Sequence, residues 1–290
     1  MKTIRSITLF LAVALFTGCP PNNENDAATG DAITLDDCET SFGDGVQAFY
    51  STYFSCVTVS VSGTNTLINS DNLPPHESWY FSDEHGNYIE WASQGDGYYL
   101  NPNMISTQDL TISIPNEPTS RGLTINGSLV DGEIGTSNYE YDMSTVGIAL
   151  DGCSLFNPLA GPGDDIEDEK YSFDLYSGHP EMTGNYHYHT TTKGPLEVLE
   201  HKGLIETPVV GSAEIELYGI MCDGTLIMGC TELDGSTPDN SDFDSQNGHV
   251  HDISDGTTVH FTNRYHTHIC TETFTGHRFT PEIQYYEGCN

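Results

Sequence analysis

Gly147-Ile148-Ala149-Leu150-Asp151-Gly152 recurs in altered form as Gly219-Ile220-Met221-Cys222-Asp223-Gly224, and an alternating histidine segment follows each copy. Tyr186-His187-Tyr188-His189 begins 35 residues after Asp151, and Tyr265-His266-Thr267-His268 begins 42 residues after Asp223. Two independent elements in the same order at similar separation read as a duplicated unit whose halves pack together, with pseudo-repeats over about residues 140–195 and 212–275. Each Asp-Gly pair suits a tight turn between strands, because glycine accepts positive φ and aspartate bonds nearby backbone. A ligand role for Asp151 or Asp223 is the alternative.

Outward from the repeat, strand-like alternation or β-branched enrichment runs through Cys56–Val61, Leu110–Ile114, Leu123–Leu129 and Ala213–Tyr218. Turn signals separate these runs at Asp96-Gly97, Asn126-Gly127, Asp131-Gly132 and Asp255-Gly256. The helix-like segments are short, Gly45–Phe54 and Leu196–His201. The expected fold is mostly β: antiparallel sheets, sandwich or barrel-like, with an internal duplication and few short helices.

The chain of 290 residues holds 43 Asp and Glu against 8 Lys and Arg, a formal charge of −35. Such a balance argues against nucleic acid or an anionic membrane surface as partner, since both need a positive footprint. Residues 1–18 read as an export signal: Lys2 and Arg5, an apolar run from Ile7 to Phe16, then small residues. Leu15-Phe16-Thr17-Gly18-Cys19 resembles a bacterial lipobox, which makes Cys19 the lipidated residue and a lipid anchor the expected membrane attachment. Residues 19–36 are polar and aperiodic, as a disordered tether would be, and residues 37–290 form a single β-rich domain. The expected location is the cell surface or outer membrane, or the extracellular space.

Eight cysteines in an exported chain imply disulfides. Proximity in sequence pairs Cys38 with Cys56, Cys222 with Cys230 and Cys270 with Cys289, leaving Cys153 over, although spacing does not determine connectivity.

The histidines carry the chemistry. Random placement of 12 His would give roughly 0.5 His-x-His pairs, and the chain has three: His187/His189, His249/His251 and His266/His268. On a strand, residues i and i+2 share a face, so each pair presents two imidazoles in one direction. Neutral imidazole suits transition metals, with copper leading on affinity and zinc close behind. Packing of the two halves is expected to bring His187/His189 opposite His266/His268 near a pseudo-two-fold axis, with His249/His251 completing or replacing one half. His179, in Gly178-His179-Pro180, is a weaker candidate, and isolated His76, His85, His201, His260 and His277 read as surface or supporting groups. The metal-free alternative is a polar network in which the imidazoles bond backbone and tyrosine hydroxyls. Calcium has two candidate places. Asp242–Gly248 departs from an EF-hand loop, with Gly one position late and Ile253 in place of the bidentate Glu, and Asp164, Asp165, Glu167 and Asp168 form an acidic cluster.

Gly184-Asn185-Tyr186-His187-Tyr188-His189 resembles the signature of the YHYH-domain proteins, exported bacterial proteins named for that motif. Leu73–His76, Val146–Gly152, His179, Leu217–Gly229, Asn247–His249, Tyr265–His268 and Tyr285–Gly288 are similar to further elements of that family, in order, over about residues 60–290. The resemblance implies an exported protein and attaches structural weight to Tyr186, Tyr188 and Tyr265, but implies little biochemistry. Three functions stay open: a metal-binding surface lipoprotein, a metalloenzyme, and a self-assembling fibre or surface-layer subunit that adds Ala32-Ile33-Thr34-Leu35 as a strand to a neighbour. Neither His-Glu-x-x-His nor Gly-x-Ser-x-Gly is present to support an enzyme.

Overall fold

The computed structural model describes residues 27–161, 165–270 and 280–289. The export signal, Cys19 and His277 lie outside the described residues, as does Asp164 of the acidic cluster. Among the described residues two sheets, three short α-helices and two 3-10 helices make up the regular structure, and neither sheet closes into a barrel. The first sheet has four strands in sequence order: β1 (Ser41–Phe42), β2 (Thr58–Ser62), β3 (Asn65–Ser70) and β4 (Leu110–Pro115). Period-two alternation turns Val59, Ile68, Ile112 and Ile114 into the core. Helix α1 (Ala48–Tyr53) adds Phe49, Tyr50 and Tyr53 to it.

The second sheet contains both copies of the repeat. Its strands are β5 (Gly147–Ala149), β6 (Ser154–Leu155), β7 (Gly178–Pro180), β8 (Tyr186–Tyr188), β9 (Leu217–Met221), β10 (Leu226–Met228), β11 (Gly248–Ser254) and β12 (Val259–His268). Helix α2 (Ile166–Glu169) precedes β7, and α3 (Lys193–His201) follows β8. The order β11-β12-β10-β9-β5-β6-β8-β7 is palindromic. In each half a hairpin turns at an Asp-Gly pair, its second strand takes a parallel neighbour (β8 or β12), and that neighbour takes an antiparallel edge strand (β7 or β11). β5 and β9 pair antiparallel at the centre and join the halves. The turns work as the residue types require: Gly152 and Gly224 adopt φ of 81° and 95°, while buried Asp151 and Asp223 each accept the backbone N–H two residues on.

Several expectations need correction. Leu123–Leu129 is not a strand; Asn126 accepts from Ser128 and Leu129 in a turn, and Ile125 packs in a small cluster with Tyr265, Ile283 and Tyr286. The strand expected over Ala213–Tyr218 begins at Leu217, because Glu216 just before it is buried and accepts from the Cys230 N–H. The described second half of the expected tether is docked: Ala28 donates to Ile105, Gly30 accepts from Gly86, and Asn87 makes two bonds with Ile33. Ala32–Leu35 is therefore held by its own fold.

Cys38–Cys56 forms as expected, and Cys153 is free and buried. The other pairings are Cys222–Cys289 and Cys230–Cys270, not Cys222–Cys230 and Cys270–Cys289. Cys222 sits at the hairpin turn and Cys230 beyond the far end of β10, so those two cannot meet. The parallel register Leu226↔His266, Met228↔His268, extended by two residues, sets Cys230 against Cys270.

Candidate metal centres

Each half builds a cluster of three imidazoles on its outer two strands. In the first, antiparallel register places His179 of β7 beside His187 of β8, and His189 follows two residues on along the same face. The alternate residues point the other way and anchor the strand: the Tyr186 hydroxyl donates to buried Asp174, and the Tyr188 hydroxyl to buried Asp151. In the second half His249 of β11 registers with His266 of β12, His268 follows, and Tyr265 donates to Asp244. Thr267 stands where Tyr188 does in the first half, so Asp223 is satisfied instead by Thr225 and the Tyr286 N–H.

The four-imidazole convergence expected at the pseudo-two-fold axis does not occur. β8 and β12 are separated by four strands, and five spacings of about 4.8 Å put the clusters about 24 Å apart. His187/His189 is completed by His179, the candidate ranked lowest. His266/His268 is joined by His249 without His251, because His251 faces Asp242 with its side chain 45% exposed.

The same second-sphere contacts hold both triads. His187 and His266 bond through Nδ1 to the carbonyls of Asn185 and Arg264, and His189 and His268 to those of Asn157 and Gly229. Nδ1 of His179 meets Ser172 and Nδ1 of His249 meets Asp242, each in a short 3-10 helix just before the edge strand. A carbonyl only accepts, so these Nδ1 atoms carry the hydrogens and the Nε2 atoms turn lone pairs inward. In the first cluster Nε2 of His187 and Nε2 of His189 are 3.0 Å apart, and Nε2 of His179 makes no hydrogen bond among the described residues. In the second, Nε2 of His249 lies 2.8 Å from that of His266 and 3.2 Å from that of His268. Glu232 adds a carboxylate whose oxygens lie 3.2–3.4 Å from the three Nε2 atoms. A tetrahedral ion with bonds of about 2.05 Å spaces its donors about 3.3 Å apart, so the second set and the His187–His189 pair of the first are close to chelating geometry, with a His179 nitrogen within 4.8 Å of that pair.

Electrostatics separates the two. Burial pushes His179 and His187 well below the usual histidine range and His189 down to about 4, leaving neutral imidazoles. At the second cluster burial would raise the Glu232 carboxyl, but the facing imidazoles reverse this and hold it far below the carboxylate range. For His249 burial works downward, and Glu232 and Asp242 outweigh it to leave the group raised.

A third recurring element escaped the sequence reading. Phe173-Asp174-Leu175-Tyr176-Ser177-Gly178-His179 and Phe243-Asp244-Ser245-Gln246-Asn247-Gly248-His249 share Phe-Asp-x-x-x-Gly-His. Each Asp accepts from the Gly N–H four residues on, each Gly leaves room for the Tyr ring that a Cβ would strike, and each Phe stacks on the third imidazole, Phe173 on His189 and Phe243 on His268. Asp244 thus accepts within its turn and from Tyr265, while Asp242 meets His249 and His251. Glu232 was also missed; nothing in its immediate sequence marks it as a donor. His76 lies behind the first cluster, bonded to the Tyr188 hydroxyl and pushed down to about 3 by burial. His76, Asp151 and Cys153 form a further close group.

A family model described as YHYH protein matches residues 107–242. The match contains the first cluster and Glu232 and stops before β11 and β12, so it omits the three histidines of the second. No curated protein and no solved structure matches the chain.

Proposed function

The chain belongs to the YHYH family, and from that premise we propose that it is an exported, lipid-anchored surface protein that holds two transition-metal ions, copper or zinc, one in each histidine cluster. One observation carries the reading: the buried rings of His187 and His189 have their Nδ1 hydrogens directed outward to carbonyls and their Nε2 lone pairs toward one another, with no hydrogen to place between them, and the buried His179 Nε2 beside them makes no hydrogen bond among the described residues. Lone pairs at 3.0 Å repel unless a cation lies between them. Holding the second ring nitrogen with a carbonyl or carboxylate is how proteins orient histidine ligands, and both clusters do this at each ring that meets a backbone carbonyl. Three disulfides fit an oxidising extracellular environment. Among the described residues no set of cysteines converges, which favours a nitrogen-rich site. The fibre-subunit alternative loses its donor strand, since Ala32–Leu35 is engaged at home.

Elemental analysis of protein purified without a histidine tag tests the proposal. The expected content is two equivalents of copper or zinc per chain. Metal-free protein that stays empty after incubation with either ion would refute it.

A further inference from the structure

The two clusters share a backbone frame but not a fourth donor. The Asn157 and Gly229 carbonyls hold the equivalent rings of His189 and His268. Three residues beyond Gly229, Glu232 turns its carboxylate among the second set of Nε2 atoms. Three residues beyond Asn157 stands Ala160, buried and without a donor atom. Among the described residues the first cluster is therefore three imidazoles. The carboxylate beside it comes from elsewhere in the chain: Glu169, at the end of α2, lies 3.7 Å through Oε1 from Nε2 of His179. Its side chain is 24% exposed, whereas that of His179 is 1% exposed and the three rings are buried.

We infer that the centres are inequivalent: protein donors close the second, whereas the first keeps a fourth coordination position for a small exogenous oxygen or nitrogen donor, water, hydroxide or a small anion. This rests on the metal-binding reading above. Three protein ligands plus a solvent molecule is the arrangement of an open site, and four protein ligands that of a closed one. Glu169 stands near one ring and not at ligand spacing from all three, which suits a hydrogen-bond acceptor for the bound water. Phe156 stacks 3.8 Å from His187 and Phe173 lies edge-on to His179, and aromatic rings this close to the donors suit a small ligand.

Cobalt(II) loaded into the full chain, with azide as the probe, tests this. Two cobalt ions per chain are expected, with azide shifting the visible bands of one. His187→Ala with His189→Ala removes the azide response and keeps one cobalt. Glu232→Ala adds a second azide-responsive ion. Glu169→Ala still binds azide, but hydroxide displaces it at lower pH, because an anion beside bound water opposes ionisation. Two cobalt ions with no azide response in the native chain would overturn the inference and leave the metal reading standing. Azide binding that emerges only in Glu169→Ala would make Glu169 the fourth ligand and also overturn it. Failure to bind cobalt at all would overturn both.

Discussion

Replacing His187 and His189 together by alanine removes two of three donors from the first centre and leaves the second, about 24 Å away, intact. A metal that binds only the folded chain stabilises it by about 4 kcal/mol per centre at a free concentration 1,000 times its dissociation constant. For a domain of this size each kcal/mol moves the melting temperature by about 2–4 °C, so each centre accounts for about 8–16 °C between zinc-loaded and chelated protein. Sites this far apart with no shared ligand add, and the native gap is therefore about twice that of one centre. Calorimetry with and without chelator should show the gap halved in the double variant and unchanged in His201→Ala, whose side chain is 39% exposed and belongs to neither cluster. Comparing gaps, not absolute melting temperatures, cancels the packing lost where Phe156 stacks on His187. An undiminished gap in the double variant would refute the assignment of these ligands.

Acidification should empty the second centre before the first: ligation needs neutral imidazole, His249 is raised above the usual range, and His189 is lowered to about 4. Release followed with a chromophoric chelator checks this, and the reverse order would contradict it. Reduction of Cys230–Cys270 should weaken the second centre alone, since the bridge lies beside Gly229, Glu232 and His268; equal loss from both centres in tris(carboxyethyl)phosphine would count against it. Tyr186→Phe strips a donor from Asp174, a buried carboxyl already pushed up to about 6, and should cost about 1–3 kcal/mol in urea unfolding without changing metal content. An unaltered urea midpoint would show that the hydroxyl is not holding that carboxylate.

The legible part of the site was local. Period two forces His187 and His189, or His266 and His268, onto one face whatever the fold, so each half-site could be read from the sequence. What could not be read was strand order. A duplication does not say which strands meet at its axis; here β5 and β9 meet, and the histidine-bearing strands are carried to opposite sides of the sheet. The same ignorance misassigned two disulfides, because Cys230 meets Cys270 only through the parallel pairing of β10 and β12. His179 and His249 could have been promoted by the shared Phe-Asp-x-x-x-Gly-His. Glu232 could not, since its reach depends on how the chain leaves β10. The mostly β class followed from composition and turns, but the buried Glu216 and the side-chain turn at Asn126 displaced individual strands from their expected bounds.

Because β7 and β11 are the outermost strands, each ion would rivet a rim of the sheet to the strand inside it, His179 to His187 and His189, His249 to His266 and His268. Rim strands carry backbone groups that seek partners in other molecules. Riveting both rims gives metal supply a say in whether copies of this chain remain apart, and stripping the ions would loosen the two margins where one copy could stick to the next.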